Sequence, residues 1–206
     1  MRSTPLADPP AATTIPGYTY GTPLSARSPL SDQDFADLQA TLLLGEADLR
    51  ALRLAHEVLQ DQVEDVLDVW YGFVGGQPHL VRYFAGSTGA PDAAYLAAVR
   101  KRFGAWILDT TAARYDRDWL DYQYEIGLRH TRVKKNQTDG VRSTAEVIHL
   151  RYLIAFIVPL SVTMRPFLAK KGHPPEEVEA MHQAWFKAVT LTATLWAQPY
   201  LQAADF

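Results

Sequence analysis

The stretch WLDYQYEIGLRH, residues 119–130, decides the fold prediction because it places one histidine on a largely apolar helix face. In a helix, residues three or four apart are neighbours on the surface. Ile126 therefore lies one turn before His130, Tyr122 lies two turns before it, and Trp119 lies behind both. A polar ring at the end of such a stripe indicates either a ligand site or a histidine that belongs to the core or to a helix cap.

The residue types around His130 suit the binding of a haem. A proximal histidine holds the iron of a haem as a neutral imidazole inside a dry pocket. Gly127, three residues earlier, is expected to leave room for a flat and bulky group beside the helix. The spacing alone does not separate this hypothesis from a core or capping histidine. The other histidines are predicted to be surface or structural residues: His56, His79, His149, His173 and His182.

The composition is that of one soluble domain. The chain has 206 residues, of which 48% are hydrophobic, and this is enough for a single buried core. The net charge of −3 does not favour a nucleic-acid partner. Cysteine is absent, which excludes disulfides, iron–sulfur ligation and thiolate-ligated haem. We therefore expect a soluble cytoplasmic protein without a nucleic-acid partner.

No signal peptide and no membrane span are expected. A membrane-spanning helix needs about 20 predominantly apolar residues. The longest candidate, residues 152–164, is interrupted by Pro159 and is predicted to be a buried core helix. Residues 1–24 are rich in proline, threonine, alanine and glycine, and they are predicted to form an extended N-terminal arm.

Hydrophobic periodicity predicts an all-α fold. Apolar residues recur at intervals of three and four, and no segment shows the alternation of a strand. Ser31 and Asp34 resemble a capping box, and Asp116 can cap a later helix. The predicted helical segments begin near residues 31 and 46 and continue over residues 52–74, 92–111, 117–134, 144–171 (bent at Pro159) and 174–196.

The usual enzyme motifs are absent, and two aromatic residues are the other candidates for function. The sequence has no glycine-rich phosphate loop, HExxH motif, nucleophile elbow or EF-hand spacing. Trp70 and Tyr71 lie on an apolar helix face, where large aromatic residues are normally core. When buried, however, the indole N–H and the phenol hydroxyl both need hydrogen-bond partners. In a ligand pocket either group could contact a bound diatomic molecule.

Several longer strings resemble the protoglobin family, single-domain globins related to globin-coupled sensors. The resemblance covers almost all of residues 15–206. The matching strings are IPGYTYG (15–21), VLDVWYGFVG (66–75), YLAAVRKRFGAWILDT (95–110), WLDYQYEIGLRH (119–130), KKNQTDGV (134–141), RYLIAFI (151–157) and RPFLAKKGHPPEEVE (165–179).

The resemblance implies a globin fold around one b-type haem, enlarged by the arm and by an extra leading helix. On this basis residues 25–206 are the haem-binding domain. Residues 61–75 correspond to the globin B helix, 92–111 to the distal E helix and 117–134 to the proximal F helix. The last two long helices would be G and H, which in this family form a homodimer. The arm, including Tyr18, would help to cover the haem.

The resemblance also assigns roles to residues. His130 would be the proximal iron ligand, with Ile126 beside it. Trp70 or Tyr71 would donate the distal hydrogen bond, because Val99 stands where many globins place a distal histidine or glutamine. The aromatic residues expected against the haem are Phe84, Phe103 and Phe156. Two positions depart from the family: Thr131 replaces a second histidine, and Val158 replaces an aromatic residue, which predicts a larger pocket or tunnel nearby.

The implied function is reversible binding of O2, CO or NO at a five-coordinate ferrous haem. Two alternatives stay open. One is a haem enzyme, with NO dioxygenation, peroxidase-like turnover or carbene transfer, although no dedicated native catalysis is expected. The other is a gas sensor that acts through a separate partner.

Overall fold

The computed structural model describes residues 15–140, 143–202 and 206. Most of the arm predicted for residues 1–24, namely residues 1–14, lies outside this part of the chain. The described residues form α-helices and two short 3₁₀ turns, with one isolated antiparallel bridge between Ala85 and Pro91. The helices are α1 (Asp32–Thr41), α2 (Glu46–Leu59), α3 (Val63–Gly75), α4 (Pro78–Val81), α5 (Ala93–Ala112), α6 (Arg117–His130), α7 (Leu150–Val162), α8 (Arg165–Leu168) and α9 (Pro175–Ala197).

The predicted helix starts are confirmed by their caps. Ser31 and Asp34 form a reciprocal capping box at the start of α1. Asp92 accepts a hydrogen bond from the third residue of α5, and Asp116 accepts one from the third residue of α6. Each cap satisfies a backbone N–H group that has no partner inside its helix. The prolines before Glu176 begin α9 as predicted, since the first helical turn needs no N–H donor there.

Three predicted boundaries are wrong. The segment 52–74 is interrupted between α2 and α3, where the buried amide of Gln62 donates to the carbonyl oxygen of Val58. The helix predicted for 117–134 ends at His130, because Thr131 is extended and its hydroxyl caps the carbonyl of Leu128. The helix predicted for 144–171 begins only at Leu150 and is split into α7 and α8.

The core lies around α9, which packs against α2, α6 and α7. Trp185 on α9 is fully buried, and its indole donates to the carbonyl of Leu160 on α7 at 2.9 Å. Pro159 lies inside α7, and the hydroxyl of Thr163 donates to its carbonyl oxygen. The helices thus share a mostly apolar interior, in which some buried polar groups find partners on a neighbouring helix and others have none among the described residues.

One face of α7 is apolar but exposed. Ile154, Val158 and Val162 recur every four residues and are 53%, 62% and 63% exposed. The prediction of a buried core helix is therefore wrong for this face. Hydrophobic periodicity indicates that a helix face prefers an apolar environment, but it does not indicate whether the same chain or another molecule provides that environment. By length and composition the stretch Leu150–Leu168 could cross a membrane, a criterion that core helices of soluble proteins also meet.

The described part of the arm packs against α5 and α6. Tyr18 donates its hydroxyl proton to Asp109 at 2.7 Å, and its ring makes an edge contact with Tyr122. Arg129 on α6 donates to the carbonyl oxygen of Gly17. Gly17 has a φ of +73°, and an added Cβ atom would meet the Arg102 guanidinium at 2.8 Å. The arm is thus fixed to the outside of the two helices that carry the predicted distal and proximal residues.

Candidate functional site

A cavity of about 230 Å³ lies between α3, α5, α6, α7 and α9. The lining is predominantly aromatic and aliphatic, with a few polar side chains, as is usual for a cofactor site. The structure brings together every site residue proposed from the sequence, since all of them line this one cavity: Trp70, Tyr71, Phe84, Val99, Phe103, Ile126, His130 and Phe156.

His130 is the last residue of α6, and its ring is oriented by the backbone of its own helix. Its Nδ1 atom lies 2.7 Å from the carbonyl oxygen of Ile126. A carbonyl oxygen can only accept, so Nδ1 carries the proton and donates it. The other ring nitrogen, Nε2, consequently keeps its lone pair. On its face the ring stacks against Trp196, with 5.0 Å between the centroids.

His130 is uncharged near neutral pH. Burial lowers the pKa of His130 to about 4, and the hydrogen bond to Ile126 only partly opposes this effect. A neutral imidazole with a fixed Nδ1–H and a free Nε2 is the form in which histidine binds a metal. His130 therefore has both the protonation state and the orientation of a metal ligand.

Gly127 does not have the role expected from the sequence. A Cβ atom there would lie 3.1 Å from the Pro199 ring and 3.2 Å from the Cα of Trp196. The missing side chain therefore allows α6 to approach the end of α9 closely. The space belongs to this helix contact rather than to a ligand.

The two candidate distal donors differ in their partners. The indole N–H of Trp70 donates to the hydroxyl of Thr163 at 2.9 Å, and Trp70 is only 2% exposed. The hydroxyl of Tyr71 is buried and has no hydrogen-bond partner among the described residues. Burial raises the pKa of Tyr71, so the hydroxyl keeps its proton. The sequence left open which of the two residues is the distal hydrogen-bond donor. The hydroxyl of Tyr71, which is free among the described residues, favours Tyr71 for this role.

Two cavity residues with unpartnered polar groups were not proposed from the sequence. The indole N–H of Trp106 and the hydroxyl of Thr192 are buried without a hydrogen-bond partner in the described part of the chain, and both residues line the cavity. Trp106 lies on an apolar face of α5 and Thr192 inside α9. Nothing local distinguishes them from other core residues, so sequence reasoning had no signal for them.

The aromatic residues surround the cavity from several helices. Phe103 on α5 lies 5.0 Å from Trp70 and 5.3 Å from Trp106, measured between ring centroids. Phe84 follows the short helix α4 and lies 6.4 Å from Tyr71, and Phe156 comes from α7. Val99 lies one turn before Phe103 and adds no polar group. These residues make the cavity wall formed by α3, α5 and α7 predominantly apolar.

Two further expectations are corrected, and the departure from the family at Thr131 has a structural reason. None of the described arm residues 15–24 lines the cavity, so Tyr18 supports Tyr122 from outside instead of covering the site. Val158 is exposed and does not line the cavity, so its small size does not enlarge it. Thr131 caps α6, which gives this departure from the family a structural reason.

The other histidines lie outside this cavity. The ring of His56 hydrogen-bonds to Leu108 and Thr111, and that of His149 to Tyr83. The ring of His182 bonds to the carbonyl oxygen of Ser161, and His173 pairs with Glu177. His79 packs its ring near Tyr152. Among the described residues no group of three or more histidines and carboxylates could hold a metal ion.

Comparison with known proteins identifies the family. A family model described as Protoglobin matches residues 31–205. The chain belongs to the protoglobin family. Among solved structures, it is similar to the globin domain of the Geobacter sulfurreducens globin-coupled sensor, with a TM-score of 0.65 and 16% identity over 84% of this chain and 99% of that one. At 16% sequence identity, the similarity to this solved structure supports only the fold of the chain, which is the globin fold. No curated protein sequence matches the chain significantly.

Proposed function

We propose that this protoglobin binds one b-type haem in the cavity, with His130 as its axial ligand, and that it reversibly binds O2, CO or NO there. The observation that carries the proposal is the hydrogen bond from His130 Nδ1 to the carbonyl oxygen of Ile126. This bond fixes a neutral imidazole with Nε2 free at the wall of an apolar cavity. Membership of the protoglobin family independently favours the same cofactor.

The residues present fit a haem in three respects. The donor set contains one neutral imidazole, which is the axial ligand of globins. The lining offers flat aromatic side chains from α3, α5, α7 and α9. The hydroxyl of Tyr71 is a buried donor without a partner in the described residues, and such an atom is costly unless a ligand completes its hydrogen bond.

Ferrous haem supplies an open coordination position at which a diatomic gas binds, and the protein supplies the surroundings. Ile126 orients His130 and increases the basicity of its Nε2. Tyr71 donates a hydrogen bond to the gas. Phe103, Phe84 and Phe156 keep water out, which slows oxidation. No other imidazole lines the cavity among the described residues, so a second histidine ligand is not expected.

An absorption spectrum of the purified protein tests this proposal. Spectra should be recorded for the ferric protein, for the dithionite-reduced protein and for the reduced protein with CO. An intense Soret band that shifts on reduction and again with CO is the expected result. Absence of a Soret band after haem has been added would refute haem binding, and a spectrum that does not respond to CO would refute an open sixth position.

We further infer that two copies of the chain pair through α7 and α9. The support is the exposed apolar stripe of Ile154, Val158 and Val162 on α7, together with Phe186 on α9, which is 46% exposed. Contiguous apolar side chains at this spacing are unfavourable in water and typical of a helix that a partner covers. The two helices pack against each other, so they can present one continuous face.

A further inference from the structure

The charges in the cavity wall are mostly paired within the protein. Three cationic residues line the cavity, namely Arg102, Arg129 and Lys135. Arg102 makes a bidentate ion pair with Asp139, with distances of 2.8 and 2.7 Å. Arg129 pairs with Glu125 through Nε at 3.0 Å. Both guanidinium groups therefore have a carboxylate in direct contact, although Glu125 is shared with Lys134.

Lys135 differs because its ammonium group is buried without a counter-ion. Lys135 is 5% exposed, and its Nζ donates to the carbonyl oxygen of Tyr83 at 3.1 Å and to the hydroxyl of Tyr95 at 3.0 Å. Both acceptors are neutral. In the described ranges of the chain no carboxylate oxygen lies within 4.0 Å of Nζ, although Asp139 attracts it from further away.

An isolated buried ammonium group is unfavourable. Burial lowers the pKa of Lys135 to about 8, with the charge of Asp139 partly opposing the shift. A buried cation is normally compensated by an anion in hydrogen-bond contact. The described residues supply none at this position, and Lys135 lines a cavity that a ligand can enter. The missing anion is therefore expected to come with the ligand.

We propose that Lys135 binds a propionate carboxylate of the haem. This inference rests on the proposed function and deepens it by naming the residue that recognises the charged edge of the cofactor. Lys135 follows His130 by five residues on the loop after α6. One short segment would thus supply both the imidazole for the iron and the ammonium group for a haem carboxylate.

The two arginines do not share this role. Arg102 donates to the carbonyl oxygen of Pro16, and Arg129 donates to that of Gly17, in addition to their carboxylate partners. Both guanidinium groups are therefore committed to holding the arm. Lys135 has no hydrogen bond to the described arm residues 15–24, and it has a donor proton left, since an ammonium group has three and two are engaged within the described part of the chain.

The experiment compares haem release from the holoprotein and from the Lys135→Met variant, which keeps the side-chain length without the charge. Release is followed as transfer to excess apomyoglobin, once with native haem and once with haem whose two propionates are methyl esters. Native haem should leave the variant about tenfold faster, as expected for the loss of a charge-assisted hydrogen bond. The ester should leave both proteins at the same rate.

Lys101→Met is the matched control, since Lys101 is exposed and does not line the cavity. It should release native haem at the wild-type rate. Equal release of native haem from Lys135→Met and wild type would overturn the proposal. So would an equal acceleration for native haem and ester, because Lys135 would then act on the fold and not on the carboxylate.

Thermal unfolding of the haem-free proteins separates a structural role from a binding role. If Lys135 is present for the ligand, Lys135→Met should leave the Tm unchanged or raise it, since an uncompensated buried charge has been removed. A lower Tm in the haem-free variant would overturn the proposal. If wild type itself binds no haem, the proposed function fails; if it binds haem and Lys135→Met behaves like wild type, only this inference fails.

Discussion

The Nδ1 atom of His130 lies 2.7 Å from the carbonyl oxygen of Ile126, one turn earlier in the same helix. His130 is the last residue of α6, so the helical pattern directs its backbone N–H to this same carbonyl, whose second lone pair accepts from the ring. The helix end therefore does two things at once. It places the ring at the cavity wall, and it fixes the tautomer in which Nε2 can bind a metal.

Replacement of His130 tests the axial ligand. We expect His130→Ala to weaken haem binding by more than about 100-fold, since even outer partners of a metal ligand contribute about 10–100-fold. Added imidazole should restore the Soret band by occupying the vacated space. His149→Ala is the control, because His149 bonds to Tyr83 and does not line this cavity. Normal haem retention in His130→Ala would show that the ligand assignment is wrong.

Replacement of Tyr71 tests the distal donor. Tyr71→Phe should raise the O2 dissociation rate by about 5–10-fold, which corresponds to the loss of one hydrogen bond. CO dissociation should change little, because bound CO is a poor acceptor. The rates are measured by rapid mixing and flash photolysis. If O2 dissociation is unchanged in Tyr71→Phe but faster in Trp106→Phe, the donor is the indole N–H of Trp106, which is also buried without a partner among the described residues.

Replacement of Val158 tests the dimer. Val158→Glu puts a carboxylate on the exposed apolar face of α7 and should raise the dimer dissociation constant by more than about 100-fold, because an unpaired buried charge costs about 3 kcal/mol or more. The fold of the single chain should be unaffected, since Val158 is exposed. Sedimentation velocity measures the association. Leu24→Glu, an equally drastic change at an exposed apolar residue of the arm, should leave it unchanged. A monomeric wild type would contradict the pairing.

The contact between Tyr18 and Asp109 predicts a pH dependence of stability. Burial raises the pKa of Asp109 from 3.8 to about 6, although the Tyr18 hydroxyl acts in the opposite direction. The folded chain therefore takes up this proton at a higher pH than the unfolded chain does. The contribution of Asp109 to the free energy of unfolding consequently rises as the pH falls from about 6 to about 4 and is least favourable above pH 6.

Asp109→Asn imitates the protonated carboxyl and keeps an oxygen that accepts from Tyr18. At pH 7.5 its Tm should exceed that of wild type, by about 2–4 °C for each kcal/mol gained in the free energy of unfolding. The difference in Tm should disappear near pH 4. Comparison of the two proteins at each pH removes the contributions of all other titrating groups. A Tm difference that is the same at both pH values would show that the titration of Asp109 does not affect stability.

Sequence reasoning located the site but not its contacts. His130, Tyr71 and Phe103 were placed through helical spacing and through strings that resemble protoglobins, and the cavity includes all three. Spacing could not show that Trp70 donates to Thr163, because those residues are 93 positions apart. It also could not reveal Lys135, since a lysine in a polar loop is normally exposed.

The sequence by itself determined the helical class and the capped starts of α1, α5 and α6, and it marked His130 as the candidate iron ligand. These features depend on residues within one or two helical turns of each other, so the local sequence is enough to predict them. Tertiary structure alone decided that Gly127 serves the contact with Pro199, that one face of α7 stays exposed and that Lys135 is buried without a counter-ion among the described residues. These features depend on which distant segments meet, because burial and pairing are properties of the assembled interior.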